Sequence, residues 1–233
     1  MSNIRIFFDK SLELNLTLKL DKSQSHYLSK VMRINVGENF SIFNKNGEWE
    51  AKVKNLNRGI IEFLVTKKIR ASINEKEICL AFAPIKTNYL NLMIQKATEL
   101  GVTKFIPVLT ERTIVRKLNE DRLKKIIIEA SEQSNRLHVP ELCKLIKLNE
   151  FLKLNQNLNL IFGDLNSHNT KVNLRNKESL CILIGPEGDF TMKERDQIMK
   201  FKKLIPLKIN NNILRSETAA ISMISIILFN LLS

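Results

Sequence analysis

Residues 180–191 read Leu-Cys-Ile-Leu-Ile-Gly-Pro-Glu-Gly-Asp-Phe-Thr, so an unbroken apolar run gives way to a loop with two glycines. Five apolar residues without alternation predict a strand covered on both faces, as in a parallel sheet flanked by helices. Thr191 followed by Glu194 is a capping box, which predicts a helix from Met192. Small ligands bind at such strand-end loops in open α/β sheets, although glycine-rich loops also occur as plain turns.

A second segment of the same kind follows one helix later. Residues 204–209 predict another short strand, and the three asparagines at 210–212 predict a turn. Ser216 is expected as the N-cap of the long apolar helix that comes next. Two strand-end loops are thus separated by one helix and one strand.

Taken together, GPEGDF (185–190) and ILRSETAA (213–220) resemble the paired cofactor loops of the SPOUT class of RNA methyltransferases. The similarity is closer still to one family within that class, the enzymes that methylate N3 of a uridine in 16S ribosomal RNA. Further blocks similar to that family occur in the expected order along most of the chain: His26-Tyr27-Leu28, Val31-Met32-Arg33, Gly37-Glu38, Phe43 with Asn46-Gly47, residues 95–102, Pro107, residues 110–112 and residues 129–136. This co-occurrence is more specific than any single block.

The resemblance implies an α/β fold of two domains. Residues 1–72 would form a PUA-like RNA-binding β-barrel, and residues 73–233 a SPOUT methyltransferase domain with a parallel sheet. In that class the carboxyl-terminal part of the chain makes a deep trefoil knot, which gathers three strand-end loops around S-adenosylmethionine. In this chain those loops would follow Phe162, Ile184 and Ile209. The periodicity of the apolar residues does not predict a knot, so the knot is expected from the resemblance alone.

The periodicity of the apolar residues gives an independent prediction for each domain. Short strands in the first domain are predicted at 4–8, 14–20, 40–43, 49–53 and 60–65. Asn46-Gly47 predicts a hairpin turn, and Asp21 or Ser23 is expected to open a short helix. From about Ile78 the period changes from two to 3.6, with helices between buried strands at 79–83, 104–108 and 158–162. A small, mostly antiparallel barrel followed by a parallel sheet is predicted.

Charge points to a polyanionic partner. The chain of 233 residues has a formal net charge of +13, and residues 1–70 hold 13 Lys and Arg against 7 Asp and Glu. Positive charge is therefore denser in the first domain, as a footprint for phosphates requires. An ordinary solvated barrel face would show the same excess, and a basic surface can also serve solubility alone.

Other residue types narrow the class of protein. Cys79, Cys143 and Cys181 form no CxxC pair and are expected as buried, reduced thiols in a cytoplasmic protein. The three histidines are scattered, so no metal site is expected. No signal peptide is visible, and the apolar stretch 219–232 is too short to span a bilayer, so no membrane span is expected. That stretch is expected as a helix that the sheet or a second subunit covers.

The resemblance implies S-adenosylmethionine as the cofactor, held mainly by backbone groups. The expected cofactor-binding residues are Phe162, Leu183, Ile184, Gly185, Pro186, Glu187, Gly188, Leu207, Ile209, Asn210, Ile213, Leu214 and Thr218. Asp189, directly after Gly188, stands where the family usually has a second consecutive glycine, and Asn210 and Asn212 replace a usual Gly and Arg. Because Asn and Asp tolerate left-handed backbone angles, the loops are expected to keep their shape.

Two side chains are candidates for the chemistry. Methyl transfer from a sulfonium is an in-line displacement, so the protein must align donor and acceptor and exclude water. A uracil N3 carries a proton near neutral pH, so it needs a base, or a cation that stabilises the anionic ring. Arg215 and Glu217 are the candidates, and the sequence does not choose between them. Arg215 is equally compatible with an anchoring salt bridge to Glu187 or Glu217.

The expected partners are 16S rRNA in the small ribosomal subunit and a second copy of the chain. The expected RNA-binding residues are Arg5, His26, Arg33, Arg112, Gln133 and Arg136. Arg5 and Arg33 are preferred because arginine can grip phosphate with two hydrogen bonds and stack on bases. A homodimer is expected because enzymes of this class resemble one another in pairing through helices beside the cofactor site.

Two other functions remain compatible with the sequence. A ribose 2′-O-methyltransferase of the same class would typically carry a Ser-Leu-Asn-like segment where this chain has Leu214-Arg215-Ser216-Glu217. A noncatalytic RNA-binding protein could have kept the fold, but the intact loop glycines and the ILRSETAA segment weigh against it.

Overall fold

The computed structural model describes residues 4–72, 74–171, 174 and 179–232. Its contacts divide the chain into two compact units, Met1–Asn74 with Ser131–Val139, and Glu75–Ala130 with Pro140–Ser233. The predicted boundary between residues 72 and 73 puts residues 131–139 in the second domain, whereas their contacts group them with the first unit. Within the described ranges, no helix has both the length and the apolar character needed to cross a membrane.

A five-stranded sheet forms the first unit. Its strands are β1 (Arg5–Phe7), β2 (Thr17–Lys19), β3 (Asn39–Asn44), β4 (Gly47–Asn57) and β5 (Ile60–Ala71). Their order is β1-β3-β4-β5-β2, with a parallel β1–β3 ladder and three antiparallel ladders. Ile6, Ile42 and Phe63 lie in the core of this unit.

The turns of this sheet follow local sequence rules. Gly47 ends the predicted Asn46-Gly47 turn between β3 and β4, and its φ is +146°. Arg58 and Gly59 join β4 to β5 with φ values of +50° and +77°. Consecutive left-handed residues are what a two-residue hairpin loop requires.

The predicted strand over residues 14–20 is shorter in the structure. Only β2 pairs with β5, as an end strand, and the side chains of Leu14 and Leu16 are 55% and 37% exposed. An end strand has one neighbour, so apolar alternation along it does not ensure cover. The helix that follows, α1 (Lys22–His26), begins at a capping box between Asp21 and Gln24 and continues as a π-helical turn over Tyr27–Val31.

A parallel sheet forms the second unit. Its strands are β6 (Ile78–Phe82), β7 (Lys104–Leu109), β8 (Glu141–Leu142), β9 (Ile146–Lys147), β10 (Asn159–Gly163), β11 (Leu180–Ile184) and β12 (Leu204–Leu207). Their order is β12-β10-β11-β6-β7-β8, with β9 beside β7, and every ladder is parallel. Every residue of β6 and β11 is buried, which confirms the prediction from their unbroken apolar runs.

Helices cover this sheet. They are α2 (Thr87–Glu99), α3 (Glu120–Gln133), α4 (Leu148–Leu154), α5 (Met192–Met199) and α6 (Ser216–Leu232). Phe151 of α4 and Ile198 of α5 pack with one face of the sheet, and α6 packs against α2 and β11. Helix α6 buries one stripe, Ala220, Met223, Ile224 and Ile227, whereas Phe229 is 72% exposed.

Helix ends show where local prediction succeeded and failed. Gly101, with φ +105°, follows α2, and the capping box of Thr191 and Glu194 opens α5, both as predicted. Ser216 is the first residue of α6 rather than its N-cap, and its hydroxyl donates to the carbonyl oxygen of Gly185 at 2.9 Å. The short elements α4, β8 and β9 were not predicted because their segments have too few residues for a clear period.

Candidate active site

Three parallel strands of the second unit end at one edge of the sheet. Because β10 lies between β11 and β12, the loops after these strands leave the same edge. The amide of Asp164 donates to the carbonyl oxygen of Leu207 at 3.0 Å, which joins the first loop to the third strand. The bond from Ser216 to Gly185 joins the second loop to the start of α6. The structure therefore brings the three predicted loops together.

Close packing shapes the loop after β11. A Cβ on Gly185 would lie 2.8 Å from Cε2 of Phe190, whereas one on Gly188 would meet Arg112 at an ordinary 3.6 Å. The left-handed residue of this loop is Asp189, with φ +59°, and its carboxylate accepts from the amide of Phe190 at 2.7 Å. Asp189 therefore adopts the left-handed φ that a glycine at this position would also allow.

The tip of this loop offers backbone donors. Among the described residues, the amide N–H groups of Glu187 and Gly188 meet no acceptor. The neighbouring groups are engaged, since the Asp189 amide donates to the carbonyl oxygen of Pro186 at 3.0 Å and Arg112 donates to that of Gly188 at 2.8 Å. Two amide donors are thus available to a ligand.

The loop after β7 contacts the start of α5. Glu194 is 5% exposed, and one of its carboxylate oxygens accepts from the amide of Glu111 at 2.8 Å. The other oxygen accepts from the amide of Thr191 at 3.0 Å. The capping residue of α5 thus also fixes the neighbouring loop.

Sequence reasoning missed an ion pair behind the loop after β10. Asp164 is 6% exposed and pairs with Arg195 of α5, whose guanidinium carbon lies 5.9 Å from the ring centroid of Phe162. Burial alone would raise the pKa of Asp164, but hydrogen bonds from Arg195 and from the amide of Asn166 hold it below its ordinary value. The two partners are 31 residues apart, so no local pattern signals them.

A cavity of about 230 Å³ opens beside the loop after β12. It is lined by Thr170, Leu207, Lys208, Ile209, Asn210, Asn211 and Ile226. The side-chain oxygen of Asn210 accepts from the amide of Asn212 at 2.9 Å, an Asx turn that shapes this loop. Three predicted cofactor residues, Leu207, Ile209 and Asn210, thus line one hollow with apolar and amide groups.

The other predicted cofactor residues lie on β10, on β11 and its following loop, and just before or at the start of α6, and they do not line the cavity. Those with buried side chains are Phe162, Leu183, Ile184 and Pro186; Gly185 and Leu214 are half-buried; Glu187, Gly188, Ile213 and Thr218 are exposed. The side chain of Ile213 is 88% exposed.

Arg215 is not held by either predicted salt bridge. Its guanidinium donates to the hydroxyl of Tyr89 at 3.1 Å and lies 5.4 Å from the centroid of that ring. Glu187 instead accepts from the backbone amide of Lys86 at 3.3 Å. Within the described ranges, no carboxylate lies within 4.0 Å of the Arg215 guanidinium, so its charge is not neutralised by an ion pair.

Glu217 combines burial with a carboxylate that has no partner among the residues that the structure describes. The residue is 7% exposed and lies in the first turn of α6. Its side chain makes no hydrogen bond or ion pair with the described residues. Neither of its carboxylate oxygens is fully enclosed by the protein. A carboxylate in this state can still accept a proton from a ligand.

Two of the predicted RNA contacts have buried side chains in the structure. Arg5 is 8% exposed, and its guanidinium bonds to Glu48 at 2.9 Å and stacks 4.2 Å from the ring centroid of Phe43. It also donates to the carbonyl oxygens of Ser131, Glu132 and Arg136 at 3.1, 2.8 and 2.9 Å. Arg136 is itself 9% exposed. Both arginines therefore belong to the interior of the first unit.

The remaining predicted RNA contacts have exposed side chains. His26, Arg33 and Gln133 are exposed in the first unit, and Arg112 is exposed in the second. Within the part of the chain that the structure describes, His, Cys, Asp and Glu form no group of three that could hold a metal ion.

Family models match most of the chain. One described as the RNA methyltransferase domain matches residues 72–228, and one described as the RNA methyltransferase PUA domain matches residues 20–66. The chain is 35% identical over 228 residues to the ribosomal RNA small subunit methyltransferase E of Rickettsia conorii, covering 95% of this chain and 93% of that protein. It is 30% identical over 240 residues to the protein of that name from Buchnera aphidicola subsp. Schizaphis graminum, covering 95% and 94%.

Solved structures of similar proteins share the fold over nearly their full length. The ribosomal RNA small subunit methyltransferase E of Neisseria gonorrhoeae, bound to S-adenosyl methionine, matches with a TM-score of 0.86 and 27% identity, covering 95% of this chain and 94% of that one. A methyltransferase from Legionella pneumophila, in complex with the same cofactor, matches with a TM-score of 0.85 and 26% identity, covering 98% of each chain.

Proposed function

The chain belongs to the ribosomal RNA small subunit methyltransferase E family, and from that premise we propose that it methylates N3 of a uridine in 16S rRNA with S-adenosylmethionine as the donor. Two residues beside the strand-end loops carry the proposal: an arginine with no ion pair to the described residues, and a nearly buried carboxylate that bonds to none of them. Arg215 and Glu217 are two residues apart at the start of α6.

The loops suit the proposed cofactor. The cavity beside Asn210 offers apolar walls and amide groups, and the amides of Glu187 and Gly188 offer donors. Its volume of about 230 Å³ is below the roughly 300–1,000 Å³ of sites for drug-sized ligands, so it would take only part of this cofactor. When bound, the cofactor supplies an electrophilic methyl group on its sulfonium.

Glu217 and Arg215 divide the work on the target base. Glu217 accepts the proton of uracil N3, because no described residue bonds to its carboxylate. Arg215 stabilises the negative charge that the ring gains when that proton leaves. The protein otherwise holds the acceptor in line and excludes water.

Unit one is proposed as the RNA-binding part. The PUA-domain match and the excess of Lys and Arg in residues 1–70 support this role, with His26, Arg33 and Gln133 as exposed contacts and Arg112 as a contact in the other unit. The division into 1–72 for RNA binding and 73–233 for catalysis belongs to the same proposal. A ribosomal RNA substrate would place the protein in the cytoplasm.

The trefoil knot and the homodimer are also proposed. The knot is inferred from the family fold. The dimer is supported by α6, which buries one stripe within the chain and leaves Phe229 72% exposed on an apolar helix. Light scattering at micromolar concentration would detect the dimer, and a monomer would contradict it.

Mass spectrometry of rRNA nucleosides tests the function. Small subunits from a strain that lacks the gene should lack N3-methyluridine at one position, and the purified protein with S-adenosylmethionine should restore it. Unchanged N3-methyluridine in that strain would refute the proposal, and a missing 2′-O-methyl nucleoside would assign the other reaction. Calorimetric titration with the cofactor tests the noncatalytic alternative, because a noncatalytic RNA-binding protein would not bind S-adenosylmethionine.

A further inference from the structure

Tyr89 lies in the first turn of α2, more than 70 positions before the nearest of the three strand-end loops in the sequence. Its side chain is 39% exposed, and it is the residue that holds the Arg215 guanidinium, through its hydroxyl at 3.1 Å and its ring at 5.4 Å. We propose that Tyr89 is a positioning residue, which fixes Arg215 for the reaction while leaving its charge intact. This inference rests on the proposed function, since it assigns a partner to a residue of that site.

An aromatic partner differs physically from an acidic one. A carboxylate would also hold the guanidinium, but its negative charge would cancel much of the field that Arg215 presents to the target base. The face of a tyrosine ring attracts the cation by about 0.5–1 kcal/mol at an exposed site and adds no formal charge. Because a free arginine side chain loses about 2 kcal/mol of rotamer entropy when it is fixed, part of that cost is met before the RNA binds.

Backbone contacts hold both partners close to the same loop. The hydroxyl of Ser216, next to Arg215, donates to the carbonyl oxygen of Gly185. The amide of Lys86, just before α2, donates to Glu187 of that loop. Helices α2 and α6 also pack against each other. The backbones on both sides are therefore fixed, and the pairing decides where the guanidinium points.

A double-mutant cycle tests the proposal. Tyr89→Leu should lower kcat about 5- to 30-fold, which corresponds to roughly 1–2 kcal/mol, with the KM for RNA within about twofold. Tyr89→Phe keeps the ring and loses only the hydroxyl, so it should retain most of the activity. In an Arg215→Met background, Tyr89→Leu should cause no further loss, because its effect passes through Arg215.

Matched controls exclude a general effect on folding or on the cofactor. Asn88→Leu changes the exposed neighbour on the same helix and should leave kcat unchanged. The cofactor affinity from calorimetry should be the same for every variant within about twofold, with unchanged unfolding midpoints. An equal loss from Tyr89→Leu with and without Arg215, or no loss at all, would overturn the proposal.

A spectroscopic measurement separates this inference from the proposed function. In a protein labelled with ¹⁵N, the Arg215 guanidinium protons should show a ring-current shift that Tyr89→Leu abolishes and Asn88→Leu does not. If the wild-type protein did not methylate N3, the proposed function would fail while this shift could still be measured. A spectrum that Tyr89→Leu leaves unchanged would overturn the pairing itself.

Discussion

Arg195 donates two hydrogen bonds, of 2.9 and 2.8 Å, to the two carboxylate oxygens of Asp164. The Asp164 amide in turn donates to the carbonyl oxygen of Leu207. This ion pair therefore fixes the end of β10 to α5, and the adjacent backbone bond fixes it to β12. The loop after β10 is thus anchored to α5 through the side chain of Asp164 and to β12 through its backbone amide.

Replacement of Asp164 by Asn should destabilise the protein. The variant removes the carboxylate to which Arg195 is hydrogen-bonded, and because the arginine side chain is 27% exposed, we expect a loss of about 1–3 kcal/mol in the free energy of unfolding. Urea denaturation at pH 7 measures this value. Asp196→Asn, at an exposed position on the same helix, is the matched control, and equal losses from the two variants would contradict the role of the pair.

The contribution of this pair should depend on pH. The pKa of Asp164 is lowered in the folded state, so the pair stabilises the fold above the ordinary Asp pKa of about 3.9 and loses that effect as pH falls through the lowered value. The difference in unfolding free energy between wild type and Asp164→Asn should be constant from about pH 8 to 5 and narrow below about pH 4. A difference that widens with acid would show that the sign is wrong.

Gly185→Ala should disturb the site, and Gly188→Ala should not. The added Cβ at 185 would lie 2.8 Å from the Phe190 ring, whereas the one at 188 makes contacts of 3.6 Å. Overpacking of this kind costs about 1–3 kcal/mol. We expect weaker cofactor binding and a lower unfolding midpoint for Gly185→Ala. The double variant Gly185→Ala with Phe190→Leu should recover part of both, and a failure to do so would argue against this clash.

Arg5→Met should act on stability rather than directly on RNA. Arg5 and Glu48 are both nearly buried, and removal of one partner of a buried ion pair costs about 3–5 kcal/mol. Burial would raise the pKa of Glu48, but hydrogen bonds from Arg5 and Arg70 lower it, so this pair also loses its effect at low pH. Denaturation in guanidinium chloride measures the loss in the free energy of unfolding.

Arg33→Gln is the matched control for Arg5. Its side chain is exposed, so the variant should change the free energy of unfolding by less than about 0.5 kcal/mol. If Arg33 contacts a phosphate, the salt dependence of RNA binding should weaken by about one counterion. The same weakening in a folded Arg5→Met variant would show that Arg5 meets RNA after all.

Glu217→Gln should separate the two catalytic candidates. The amide keeps the shape of the side chain but cannot take the N3 proton, so kcat should fall by about 10²–10⁴ with cofactor affinity unchanged. Glu217→Asp should retain more activity than Glu217→Gln, because it keeps a base. Single-turnover methylation of small-subunit RNA measures both. Full activity in Glu217→Gln would leave the role to Arg215 alone.

Local rules explain how much of the fold was predictable. The capping box at Thr191, the turn at Gly47 and the helix end at Gly101 depend on residues within a few positions of each other. The unbroken apolar runs of β6 and β11 likewise predicted burial on both faces. The order of parallel strands then places their loops at one edge, which is where the family resemblance puts the cofactor.

The sequence by itself therefore determined the long buried strands, the start of α5 and the family resemblance, because backbone preference and apolar period act over short distances. Only the tertiary structure decided which partner each of these charged side chains contacts. Arg5 pairs with Glu48 across 43 positions, and Arg215 pairs with Tyr89 across 126. A charged side chain has the same local signature whether it meets phosphate, carboxylate or an aromatic ring. Its partner is chosen by long-range packing, which no short pattern records.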